Sequence, residues 1–315
     1  MTSLGQAIAA LEPVDDGWRG SIPDNWLQGR TAYGGFSAAL ALHVAQRSDS
    51  DLPPLRSAQI AFIGPLSGAI TLRASRLRRG RNAAFIQVDV ESAAGLGLRA
   101  TFVFMRAIES VIDHRTGATP EFPAPDSETA TYRGHRGVAF SQNFDLVDRR
   151  DERVGAAEWL RWARLADRDA LDPMVELIAV ADCLPPSALK LLGGPAPLSS
   201  MTWLLNILGP QPTTRDGWWL LRATTDYVHA GSSSQTMAIW NADGLPIAEQ
   251  MQSVAIFAGV APPSRHPGCA EPALGQVATL CRRGDIAMRQ PAPRRRTFDG
   301  DRPHPTGDRR CARPF

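Results

Sequence analysis

Two stretches of this 315-residue chain echo one another at a fixed distance. Leu72-Arg73-Ala74-Ser75 returns as Leu221-Arg222-Ala223-Thr224, and Ala94-Gly95-Leu96 returns as Asp243-Gly244-Leu245, both displaced by 149 residues. Self-similarity at this spacing means two copies of one structural unit. Each copy must therefore build the same elements in the same order.

In the first copy, a Trp-bearing segment (Trp18 to Trp26) leads into an apolar helix from about Tyr33 to Ser48. Alternating strands follow near 57–64, 68–77, 82–92 and 95–106. The second copy repeats this, with Trp159 to Arg164, a helix, and strands near 198–208, 217–228, 232–240 and 245–257. In each copy the last strand follows a Gly-centred hairpin turn, so neighbouring strands should pair antiparallel. The first helix is apolar nearly all round (Phe36, Ala38, Ala39, Leu40, Ala41, Leu42, Val44, Ala45) and so must be enclosed. The physical expectation is an α+β fold with one central helix per antiparallel sheet. Residues 1–106 form the first unit, 107–155 a Pro-, Asp- and Arg-rich linker, and 156–259 the second unit.

Residues 260–315 read differently. They hold 9 Pro and 11 Arg against 5 acidic residues, with almost no apolar period, so the chain's net charge of +2 rests on this segment. Such a composition buries too little surface to offset the entropy of ordering, and disorder is expected. The rest of the chain has no basic stripe interleaved with aromatics, which argues against nucleic acid. No stretch approaches the roughly 20 apolar residues that span a bilayer. The N-terminus lacks a secretory layout, so a cytoplasmic location is expected. Cys183, Cys269, Cys281 and Cys311 show no C-x-x-C spacing, and neither a disulfide framework, a structural zinc nor any other cofactor is expected.

The segment Trp26-Leu-Gln-Gly29-Arg-Thr-Ala-Tyr33-Gly34-Gly35-Phe36, with its Ala/Leu helix, resembles the first-domain signature of the acyl-CoA thioesterase II family. Three stretches of the second unit resemble the same family: Leu177 to Asp182, Leu198 to Thr202, and Ile247 to Ser253. The resemblance implies a double hotdog fold, in which each sheet wraps its helix, and an acyl-CoA substrate. It also implies a catalytic group of an Asp on the second helix, a Thr or Ser on the next strand and a Gln on the last strand, which together hold a water. These fall on Asp182, Ser200 and Gln252. The family more often has Thr at the second position, so Thr202 stays open as the alternative hydroxyl.

The residues themselves are compatible with these roles. Asp172-Pro173 is a helix start and Pro185-Pro186 forces an end. Val175, Ile178, Ala179 and Asp182 then share one helical stripe, where burial and the negative end of the helix raise a carboxyl pKa toward that of a general base. A solvated Asp at a frayed helix end is the alternative. Strand alternation puts Ser200, Thr202 and Leu204 on one face, and Gln250, Gln252 and Val254 on one face. Gly34 and Gly35 leave N–H groups uncovered at a helix start, suiting an oxyanion; close helix packing would explain them equally. Gly34, Gly35, Tyr33 and Thr202 are thus expected at the substrate.

Gly35-Phe36-Ser37-Ala38-Ala39 superficially resembles a nucleophile elbow, but no apolar strand precedes it. His43 and His229 have no metal or triad spacing, and an Asp–His pair suited to a hydratase is missing. The sequence reading is direct hydrolysis: Asp182 deprotonates a water held by Ser200 and Gln252, which attacks a thioester carbonyl polarised by the Gly35 N–H. A non-catalytic acyl-CoA binding protein is the alternative. Further assembly as a homo-oligomer is compatible with either.

Overall fold

A computed structural model of the chain describes residues 1–258, apart from 116–117, 150–153, 193, 195 and 210–211. The tail from residue 260, with the disorder expected of it and three of the four cysteines, lies outside the described residues.

The first half contains α1 (Leu4–Ala9), β1 (Glu12–Val14), β2 (Gly17–Ile22), the two-residue strands β3 (Leu27–Gln28) and β4 (Thr31–Ala32), and α2 (Gly34–Arg47). Then come β5 (Leu55–Phe62), β6 (Gly68–Arg79), β7 (Ala83–Ser92) and β8 (Gly95–Met105). The second half contains β9 (Tyr132–Arg133), β10 (Phe144–Asp148), β11 (Glu158–Leu165), α3 (Pro173–Ala181), β12 (Leu198–Ile207), β13 (Trp219–His229), β14 (Ser232–Asn241) and β15 (Pro246–Ile256). The expected helices and eight main strands are present within a few residues. Gly95 and Gly244 lie at the turns of the two matching hairpins with φ +95° and +79°, backbone that a residue with a Cβ seldom adopts.

Thirteen strands form one antiparallel sheet in the order β1-β2-β6-β7-β8-β5-β12-β15-β14-β13-β11-β10-β9, while β3 and β4 pair separately. The order shows two equivalent runs meeting in the middle: β6-β7-β8-β5 continues into β12-β15-β14-β13. At the junction β5 and β12 pair from Ala61–Thr202 to Ser57–Asn206. Alternate residues of β7 and β8, including Ile86, Val88, Ala100 and Phe102, are fully buried on one face. One continuous apolar cluster joins these strands to α2 and α3, which pack against each other.

The region 107–155 is more than a linker. Phe144 and Leu146 of β10 are buried, 1% and 3% exposed, and pair with Leu165 and Ala163 of β11, so the strands of the second half begin well before residue 156. A five-residue strand needs only two inward apolar positions, and the surrounding Pro and Arg conceal it. Asp148 pairs across the same two strands with Arg161 in a buried ion pair.

Candidate functional site

Asp172 caps α3 as its spacing to Pro173 suggested, its carboxylate accepting from the N–H groups of Met174 and Val175 at 2.9 and 3.1 Å. The helix is buried over most of its length and stops at Ala181, with Asp182 as its C-cap at φ −100°, ψ 5°. The turn ends one residue sooner than the helical stripe implied. This directs the Asp182 carboxylate away from α3 and toward the start of α2.

Three groups meet there. The Gln252 Nε2 donates to Asp182 Oδ1 at 2.5 Å. The Gly35 N–H, in the first turn of α2, faces the same carboxylate and favours its anion. A Cβ on Gly34 would lie 2.6 Å from Asp182 Oδ2 and 2.9 Å from the Phe62 ring, so only glycine lets the carboxylate come this close. Burial pushes the Asp182 pKa up to about 7; the Gln252 amide and the Gly35 N–H, both donors to the anion, oppose it. The result is a carboxyl group that gains and loses its proton near neutrality.

The Gln252 side chain is 3% exposed and is itself held. Its Oε1 accepts from Gln235 Nε2 at 2.9 Å. In turn Gln235 Oε1 accepts from the Ser187 N–H at 3.0 Å, and the Ser187 hydroxyl donates to the Ala223 carbonyl at 2.6 Å. Sequence reasoning missed Gln235 and Ser187. Strand parity could have found Gln235, because it shares a face with Met237 and Ile239.

Two of the expected substrate contacts are corrected here. Tyr33 is 1% exposed, with its ring stacked on Phe140 at 4.2 Å and its hydroxyl donating to the Ala179 carbonyl at 2.8 Å. It ties α2 to α3, and no surface remains for a ligand. Gly35 is also turned elsewhere: its N–H faces Asp182, where the expectation had it at a thioester carbonyl, and a Cβ there would meet the Ala179 carbonyl at 2.7 Å. Both readings of the Gly pair are therefore relevant, since close helix packing is what brings the donor to the carboxylate.

The third correction concerns β12. Strict alternation would put Ser200 and Thr202 on one face, but the pairing with β15 shifts between them: Ser200 faces Val254 and Thr202 faces Ser253. Such a bulge inserts one residue, here Met201, and reverses the sidedness beyond it. Ser200 is half-buried and shares the inner side with Val254 and Gln252; Thr202 is exposed with Leu204 on the outer side. The bulge separates the two hydroxyls that sequence alone left open.

Among the described residues, no cluster of His, Cys, Asp and Glu could hold a metal ion, and no helix is long and apolar enough to cross a membrane. Cys183, next to Asp182, is free, and burial pushes its thiol up to about 12, which leaves it protonated and unreactive at neutral pH. His43 lies edge-on to Trp18, and burial lowers its pKa.

An acyl-CoA thioesterase N-terminal domain model matches residues 22–105, and an acyl-CoA thioesterase C-terminal domain model matches residues 116–256. The chain belongs to the acyl-CoA thioesterase family. No curated protein matches it in sequence. Among solved structures, a conserved protein of unknown function with a hotdog fold from Alicyclobacillus acidocaldarius aligns at TM-score 0.71 and 21% identity, covering 82% of this chain and all of that one. The tesB protein of Mycobacterium avium subsp. paratuberculosis aligns at 0.66 and 20% identity, covering 81% and 99% of the two chains. The acyl-CoA thioesterase II TesB2 of Mycobacterium marinum gives 0.64 and 17%, covering 80% and 97%. These likenesses establish the hotdog fold, and family membership carries thioester hydrolysis as the associated chemistry. The C-terminal match starts at residue 116, in agreement with β9 and β10 belonging to the second half of the sheet.

Proposed function

We propose that this thioesterase-family chain is a double hotdog enzyme that hydrolyses acyl-CoA esters with Asp182 as the general base. Ionised Asp182 takes a proton from a water oriented by Ser200 and Gln252. The resulting hydroxide attacks the thioester carbonyl carbon, the C–S bond breaks, and the proton on Asp182 passes to the departing CoA thiolate. Free acid and CoA are the products, and no covalent enzyme intermediate forms.

The observation that carries this reading is the 2.5 Å contact from Gln252 Nε2 to a carboxyl group whose pKa lies at about 7. A base poised near the working pH combines a sizeable ionised fraction with useful proton affinity. The Gly35 N–H serves the base in this scheme. A hydroxyl such as that of Ser200 can both donate to and accept from water, and the β12 bulge favours it over Thr202.

Thiol release from CoA esters of several acyl lengths tests the reading. Wild-type protein is expected to release CoA, and Asp182→Asn to reduce kcat by roughly 10²–10⁴-fold, the usual contribution of a general base, while still binding the ester. Unchanged turnover in Asp182→Asn would remove Asp182 from the mechanism. Ester binding without release at any length by wild type would leave a binding protein.

A further inference from the structure

A glutamine amide has two chemically opposite ends that are nearly equal in shape, so its orientation must be set by its neighbours. In the scheme above Gln252 is useful only one way round. With Nε2 toward Asp182 it stabilises the carboxylate that acts as base; reversed, it would press a carbonyl oxygen against that carboxylate.

The neighbour that sets the orientation is Gln235, and its own orientation is fixed by the backbone. The Ser187 N–H is a donor that cannot turn into an acceptor, and it is held in place because Pro185-Pro186 precede it and its hydroxyl donates to Ala223 on β13. Gln235 must therefore offer Oε1 to Ser187. Its Nε2 is left to face Gln252 Oε1 at 2.9 Å, and the Gln252 Nε2 is left to face Asp182. Gln235 and Ser187 are both 0% exposed, so no bulk water can replace either partner. All four groups, from the backbone N–H to the carboxylate, are ordered in one direction.

We propose that Gln235 is a positioning residue for hydrolysis: through this relay it holds the Gln252 amide with its nitrogen on Asp182. The inference rests on the Asp182 reading above. Gln235 does not touch the carboxylate itself, and its influence reaches Asp182 only through Gln252.

The test is Gln235→Met in the full chain, which keeps the length of the side chain and removes its donor and acceptor. Expected results are a fall in kcat of about tenfold or more, little change in KM, and a rise of about one pH unit in the lower midpoint of the kcat–pH profile, because a tenfold weaker preference for the anion is one pKa unit. A cycle with Gln252→Met separates positioning from packing: in the Gln252→Met background, Gln235→Met should have almost no further effect on kcat. If Gln235→Met does not fold, Gln235→Asn replaces it; the shorter neutral amide keeps a polar group in the layer but cannot reach both Ser187 and Gln252, and the same loss is expected. A wild-type pH midpoint in the available variant, or full additivity with Gln252→Met, overturns the inference. The underlying reading fails separately, through an active Asp182→Asn protein.

Discussion

The two halves of the sheet are built alike and lined differently. In the first, Ile86 of β7 pairs with Phe102 of β8, which pairs with Ala58 of β5. At the corresponding register of the second, Gln235 of β14 pairs with Gln252 of β15, which pairs with Trp203 of β12. Ile86 and Gln235 are separated by the repeat distance of 149. Among the described residues, β5 to β8 have no buried polar side chain, whereas β12 to β15 bury Ser233, Gln235, Asn241, Gln250 and Gln252. The first layer is what the fold requires. The second departs from it, and a buried amide is costly unless its hydrogen bonds are made. Two of these residues, Gln235 and Gln252, form the relay that ends on the Asp182 carboxylate, which argues for chemistry over stability at that register.

Exchanging the linings should give the largest effect. Replacing Gln235 by Ile together with Gln252 by Phe copies the first layer into the second. Activity should fall at least about 100-fold, in the range of a lost catalytic group, while thermal unfolding stays cooperative. An active double variant would mean that the amides are lining only.

The reverse exchange should damage folding instead. Ile86→Gln introduces an amide opposite Phe102, where nothing can pair with it, and about 2–4 kcal/mol of stability should be lost from unmet hydrogen bonds and poorer packing. Turnover per folded molecule should be unchanged. Denaturant midpoints and active-site titration separate the two quantities, and a neutral Ile86→Gln would show that the first half tolerates amides as readily as the second.

A smaller effect follows from the proton on Asp182. Its folded pKa of about 7 lies above the ordinary 3.8, so the protonated form is favoured by folding. The stability it contributes is complete below about pH 4 and is lost as pH rises toward 7, by at most about 1.4 kcal/mol per pH unit. Wild type should therefore lose stability relative to Asp182→Asn between pH 5 and pH 7. Parallel stability–pH curves for the two proteins would contradict the raised pKa.

The smallest contrast concerns the bulge. Ser200→Ala should lower kcat by about tenfold, at the weaker end of proton-transfer and orienting effects, and Thr202→Val should leave it within about twofold. The opposite ranking would return the water-orienting hydroxyl to Thr202.

How much of this was legible in the sequence depends on whether a feature repeats. The helices, eight main strands and two hairpins were readable because period and Gly position recur in both copies. Asp182 and Gln252 were reached through resemblance, and helical spacing and strand parity agreed with it. What stayed hidden was non-periodic. Met201 looks like any outward residue until its neighbours' partners on β15 are known. The strand at Phe144–Asp148 is too short to set a pattern. The Gly35 N–H can be recognised as a free donor, but its target depends on where α3 ends. Gln235 has the strand parity of Met237 and Ile239, but the run Ser232, Ser233 and Ser234 before it reads as solvated and masks that cue.

The β5–β12 junction has a consequence for symmetry. Two identical subunits joined edge to edge would have to carry every substitution twice, so an amide placed at one register would also replace the apolar residue at its mate. Because these two strands belong to a single chain, positions 86 and 235 are encoded independently. One copy can remain an apolar frame and contribute only a glycine helix start, while the other accumulates buried polar groups that the frame could not bear. The expected stoichiometry is one reactive carboxylate per chain rather than a symmetric pair.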